Sequence, residues 1–93
     1  MVIGLLQMDL LVHGSRSLKD KRRVIKGLKQ QMRDRFNCSV AEIGFKEQWG
    51  RSRLAVCIVG DDSRFVNTQL NEVANFASLR AGAELADYSI EMM

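Results

Sequence analysis

An α+β fold is predicted by three features of the sequence. Apolar residues alternate with period two in several segments. Two further segments repeat their apolar residues every three to four positions. These segments follow one another as strand, helix, strand, strand, helix, strand. With 93 residues, hydrophobic residues at 46% and charged residues at 27%, the chain suits a single domain over residues 1–93 with one modest core. It contains no proline and no Gly/Ser-rich linker, and no repeat is visible.

The first strand is read from Val2 to Val12. Its even positions, Val2, Gly4, Leu6, Met8, Leu10 and Val12, are all apolar or glycine, which marks one fully buried face. His13 to Arg16 is a turn. A helix starts at Ser17, where Ser17 and Asp20 resemble a capping box with Asp in place of Glu. Leu18, Val24, Ile25, Leu28, Met32 and Phe36 share one side of it. Asn37 is expected to make a left-handed exit. Cys38 to Phe45 reads as the second strand, and Lys46 to Ser52 as a loop carrying Trp49 and Gly50. Arg53 to Val59 is apolar on both faces, hence a central third strand.

Gly60 to Ser63 forms a turn and a helix start, with acids that suit the helix dipole. The second helix buries Val66, Leu70, Val73 and Ala77, and Ala81-Gly82 closes it. Glu84 to Met93 alternates again, with Ala86, Tyr88, Ile90 and Met92 on one face. This order is that of a ferredoxin-like βαββαβ sandwich, a four-stranded antiparallel sheet with both helices on one face. The other face is left uncovered. It is expected to expose Ile3, Leu5, Cys57 and Val59, with Ala55 beside them, and to drive self-association into a homo-oligomer.

The N-terminal MVIGLLQMDLLVHG is apolar but lacks a positively charged start, and Asp9 interrupts it. It reads as a buried strand rather than a signal peptide or a membrane span, so a cytoplasmic location is expected. Cys38 and Cys57 are too few for a disulfide framework and are expected to be buried free thiols.

Charge is concentrated in one place. Between Arg16 and Arg35 stand nine lysines and arginines against Asp20 and Asp34, a local charge of +7 in a chain whose total is +3. On a helical wheel Lys19, Arg22, Arg23, Lys26, Lys29 and Arg33 fall in one arc opposite the apolar stripe, with no acid among them. A helix face that is merely solvated usually mixes signs, because like charges at i,i+3 and i,i+4 repel. A polyanion would relieve that repulsion and gain from counterion release. Lys21 falls inside the apolar stripe. It is expected to snorkel out past Leu18, or else to flank the helix start with Arg16 and help hold a phosphate.

The stretch SLKDKRRVIKGLKQQMRDRFNCSVAEIG, together with KEQWGRSRLAVCIVGDDS, resembles the YlxP-like family of small bacterial proteins. The resemblance covers nearly the whole chain and is strongest from Ser17 to Gly44. It implies a ferredoxin-like fold, a bacterial cytoplasm and an association with RNA or ribosome biology, and it brings no catalytic residues.

Several nucleic-acid modes are excluded by the residues themselves. RNA-recognition motifs stack bases on aromatics of the first and third strands, and here those strands carry none. No two glycines are three or five apart, so the KH loop, G-x-G-x-x-G and the P-loop are absent. What remains is a helix laid against phosphates, reading shape and charge. Trp49, between Lys46 and Arg51, is a candidate stacking residue, although a lone loop tryptophan more often simply packs.

The expected function is therefore non-enzymatic binding of structured RNA, through Arg16, Lys19, Lys21, Arg22, Arg23, Lys26, Lys29 and Arg33. The alternatives are a dimeric interaction module whose basic helix meets an acidic protein, or a solvated face. A third is an acylphosphatase-like hydrolase, with Arg16 in the loop after the first strand and Asn37 before the second. That match is poor, because the glycine-rich phosphate loop is missing. His13 is the only histidine and the two cysteines lack C-x-x-C spacing, so no catalytic residue, metal site or cofactor is expected.

Overall fold

The computed structural model describes residues 1–80 and 82–93. Six elements follow in the expected order: β1 (Val2–Leu11), α1 (Leu18–Arg35), β2 (Ser39–Gly44), β3 (Arg51–Gly60), α2 (Ser63–Ser78) and β4 (Glu84–Met92). The strands form one antiparallel sheet in the order β2-β3-β1-β4. β3 and β1 are central, as their apolar residues require. The fold is the ferredoxin-like α+β sandwich.

The even positions of β1 and β3 form the floor of the core. Leu6, Met8, Leu10, Leu54 and Val56 are fully buried beneath Ile25, Leu28 and Met32 of α1 and Val66, Leu70, Val73 and Ala77 of α2. Two glycines let α2 approach the sheet. A Cβ at Gly4 would come within 2.6 Å of Leu70 and Val66, and one at Gly60 within 2.7 Å of Val66.

Helix α1 starts as read. The Oγ of Ser17 accepts the Asp20 backbone N–H at 3.0 Å. The reciprocal half of the box is displaced by one residue, since Asp20 accepts from the backbone N–H of Arg16 and not of Ser17. At the other end the expectation for Asn37 fails. Phe36 caps the helix in an extended conformation, and Phe45 is the one non-glycine residue with positive φ among the described residues. Asp62 caps α2 through the Phe65 N–H. That helix ends at Ser78, Ala81 lies outside the described residues, and Gly82 takes a left-handed φ of 90°.

Strand β3 begins two residues earlier than read, at Arg51, because it extends along β1 as far as Leu11. In β4 a register shift opposite Asp9/Leu10 breaks the alternation. Leu85 pairs with Leu10 and joins the core, so Ala86 does not share the face of Tyr88, Ile90 and Met92. Cys38 and Cys57 are free but only half-buried, which corrects the reading of both as buried. The Cys38 thiol sits just before β2, and burial raises its pKa against the opposing charge of Arg33.

Candidate nucleic-acid interface

Helix α1 presents its cations as the wheel requires. Lys19, Arg22, Arg23, Lys26 and Arg33 are exposed, and Lys29 is half-buried on the flank facing β2. Among the described residues only Lys21, Arg51 and Arg53, of all the lysines and arginines, lie within 4.0 Å of a carboxylate. The two acids of α1 do not neutralise the face. Asp20 is taken up by the Arg16 backbone and Asp34 by the Gln30 amide at 2.9 Å. Arg33 is partly committed, since its Nη2 donates to the Val40 carbonyl at 2.9 Å and ties the helix end to β2. Arg16 is exposed in the turn before the helix.

Lys21 is the clear exception. It is completely buried, so it neither snorkels nor reaches a phosphate. Its Nζ donates to Glu42 Oε2 at 2.8 Å and to the carbonyls of Phe45, Lys46 and Arg51 at 2.9, 3.3 and 3.2 Å. The stripe position that looked like an error in the apolar pattern is a hydrogen-bonded cation beneath the β2–β3 loop. Burial alone would raise the pKa of Glu42. The hydrogen bonds from Lys21 and Ser52, with the charges of Lys21 and Lys29, outweigh it and hold the carboxyl below the usual glutamate value.

This hub fixes an unfavourable turn. Phe45 has a φ of 59°, a costly conformation for a bulky side chain. Its carbonyl is held by Lys21, and its ring lies under Arg51 and Arg53, whose Cζ atoms are 4.1 and 4.9 Å from its centroid. Arg53 in turn grips Asp9 through two hydrogen bonds, at 2.6 and 3.1 Å. Trp49 rides on the loop so anchored, with 55% of its surface exposed. The Gly50 carbonyl accepts from the Val12 N–H at 2.9 Å, which sets the loop beside the turn leading to Arg16 and α1. The fold therefore gathers the Trp49 loop, Arg16 and the first turns of the basic helix at one end of the sheet.

Two cations outside the expected interface, one of them counted in the basic stretch, meet across the fold. Arg35 and Arg80 both stack on Phe76, with Cζ 5.2 and 4.2 Å from the ring centroid. Nothing in the spacing links positions 35, 76 and 80, because the end of α2 is brought to α1 only by tertiary folding.

The open sheet face unites its expected members through the β1–β3 register, which pairs Ile3 with Val59 and Leu5 with Cys57. Val59 is 60% exposed, and the other three are half-buried. The opposite end of that face is polar, carrying Asp9, Arg51, Arg53 and Asp87. Arg16 and Asn37, the pair an acylphosphatase-like site would need, stand at opposite ends of the 18-residue α1, which at 1.5 Å per residue is about 27 Å long. The structure does not bring them together. No helix of the described residues is long and apolar enough to cross a membrane.

Residues 3–90 match a family model described as a protein of unknown function, DUF503. The chain is also 28% identical over 75 residues to "Uncharacterized protein YlxP" of Bacillus subtilis (strain 168), an alignment covering 81% of this chain and 82% of that protein. Both matches agree with a likeness that covers nearly the whole chain.

Proposed function

We propose, for a chain that belongs to the DUF503 family of proteins of unknown function, that it binds structured RNA without catalysis, docking the cationic face of α1 on phosphates. The observation carrying this reading is the unpaired row Lys19, Arg22, Arg23 and Lys26. These like charges stand at i,i+3 and i,i+4 spacing, exposed and without carboxylate partners among the described residues. Such a row costs a few tenths of a kcal/mol per pair in the free protein. It is relieved when phosphates replace water and counterions. The A-form helix suits this surface, because its recognition rests on backbone shape more than on base edges. Lys29 and Arg33 extend the row toward β2, Arg16 extends it toward the turn, and Trp49 offers one ring to an unpaired base at that end. Lys21 has no part in it. The bacterial cytoplasm is the setting that this reading assumes.

Fluorescence anisotropy with a labelled structured RNA tests the docking face. Arg22→Glu with Lys26→Glu is expected to abolish most binding while the thermal melt stays close to wild type, since both residues are exposed. Full retention of affinity in that variant contradicts the reading.

A second copy of this chain is the partner proposed for the open face. A two-fold axis parallel to the strands lays the apolar end around Ile3 and Val59 on its own counterpart. The same axis brings Arg51 and Arg53 toward the acids of β1 and β4 in the other copy. Such a dimer doubles the number of basic helices. Wild type is expected to elute as a dimer at micromolar concentration in size-exclusion with light scattering, and Val59→Asp as a monomer. A wild-type monomer would end that reading while leaving the helix reading intact.

A further inference from the structure

Gly27 sits in the middle of α1, where glycine is the least favourable residue apart from proline. No neighbour demands it. A Cβ there would meet nothing within 4 Å, in contrast to Gly4 and Gly60 under α2. Gly27 instead lines a groove between α1 and the segment after α2, together with Arg23, Val24, Leu28, Gln31, Arg80 and Ala83. Neither arginine has a carboxylate within 4.0 Å among the described residues. Arg80 is held in place by its stack on Phe76, yet its Nε is buried with no hydrogen-bond partner among the described residues. A buried donor left unsatisfied is costly and uncommon. Two guanidiniums and an amide at the rim, above a base of Val24, Leu28 and the bare Gly27, are complementary to a small anion.

We propose that this groove seats one phosphodiester of the bound RNA. The phosphate lies over Gly27 between the guanidiniums of Arg23 and Arg80, with the Gln31 amide donating at the rim. The proposal rests on the RNA reading above and adds a defined seat to its exposed row of charge. Glycine at 27 allows the phosphate to approach the helix surface closely, where any side chain would hold it off. The Phe76 stack orders the Arg80 guanidinium before binding, so less freedom is lost when it engages.

The test separates fold from binding, because the two move in opposite directions. Gly27→Leu removes an unfavourable helix residue and is expected to leave Tm equal or a few degrees higher. It is also expected to weaken affinity for the same structured RNA at least fivefold. Arg80→Gln is expected to weaken it similarly and to reduce the log–log salt slope by roughly 0.7–0.9, the equivalent of one phosphate. If wild type binds RNA but both variants match its affinity and slope, the groove is not a phosphate seat and the proposal falls, with the helix face still standing. If wild type does not bind RNA at ~50 mM salt, the RNA reading fails and takes this seat with it.

Discussion

Replacing Lys21 by methionine should unsettle the β2–β3 loop more than any exposed cation of α1 does. The ammonium is fully buried, and its three N–H groups are shared among four acceptors, one carboxylate and three backbone carbonyls. Removing one partner of a buried ion pair costs about 3–5 kcal/mol, because the other charge stays behind uncompensated. Two features place this site near the lower end. The Glu42 side chain retains 15% exposure, so water can reach it, and the Ser52 hydroxyl still donates to it at 2.6 Å. Methionine fills most of the vacated volume, so little cavity cost is added. The expected loss is about 3 kcal/mol, or a fall in Tm of roughly 12–24 °C for a domain of this size. Urea unfolding followed by circular dichroism measures it. RNA affinity of the folded variant should stay within about twofold of wild type, since Lys21 faces inward. A loss below ~1 kcal/mol would refute the view of Lys21 as the support of this loop.

The carboxylates set the acid limit of stability. Glu42 and Asp9 are both held below their ordinary values, Asp9 through its hydrogen bond from Arg53 against the opposing effect of burial, with the Arg53 and Arg51 charges adding to it. A depressed carboxylate binds fewer protons in the folded state than in the unfolded state. Its stabilisation is therefore complete above the ordinary value of ~4 and is lost as pH falls through the folded pKa. Stability measured from pH 6 down to pH 2 should decline below about pH 4, and Glu42→Gln should flatten that decline. Gly4→Ala is expected to destabilise by about 1–3 kcal/mol, because its Cβ would press on Leu70 and Val66 at 2.6 Å; thermal melts check this.

The layout of the fold was legible because its strands and helices carry unmixed periods. The even positions of β1 and the i,i+3/i+4 stripe of α1 each point to one inward face; Gly4 to Val12 of the first and Ile25, Leu28, Met32 and Phe36 of the second are buried, while Val2, Leu18 and Val24 at their margins are half-buried. Features that depend on pairing across the fold were not legible. The register shift that places Leu85 over Leu10 comes from how β4 meets β1, and no pattern within β4 alone reveals it. Lys21 was misread for a related reason. A lysine on an apolar stripe snorkels unless an acid is buried opposite it, and Glu42 supplies that acid from an inward-facing position of β2 between Val40 and Gly44. That coincidence of an inward lysine and an inward glutamate was the available signal. The exposed cations were read correctly in position, because their placement depends on one helix alone. The groove between Arg23 and Arg80 was invisible for the opposite reason, since its walls come from two elements.

The central claim is that the α1 face meets phosphates, and the salt dependence of RNA binding tests it most directly. Wild-type affinity for a structured RNA should fall linearly on a log–log scale between 50 and 300 mM salt. The slope should correspond to several phosphates at ~0.7–0.9 per contact. Absence of micromolar binding at ~50 mM salt, or binding with a slope near zero, would contradict it.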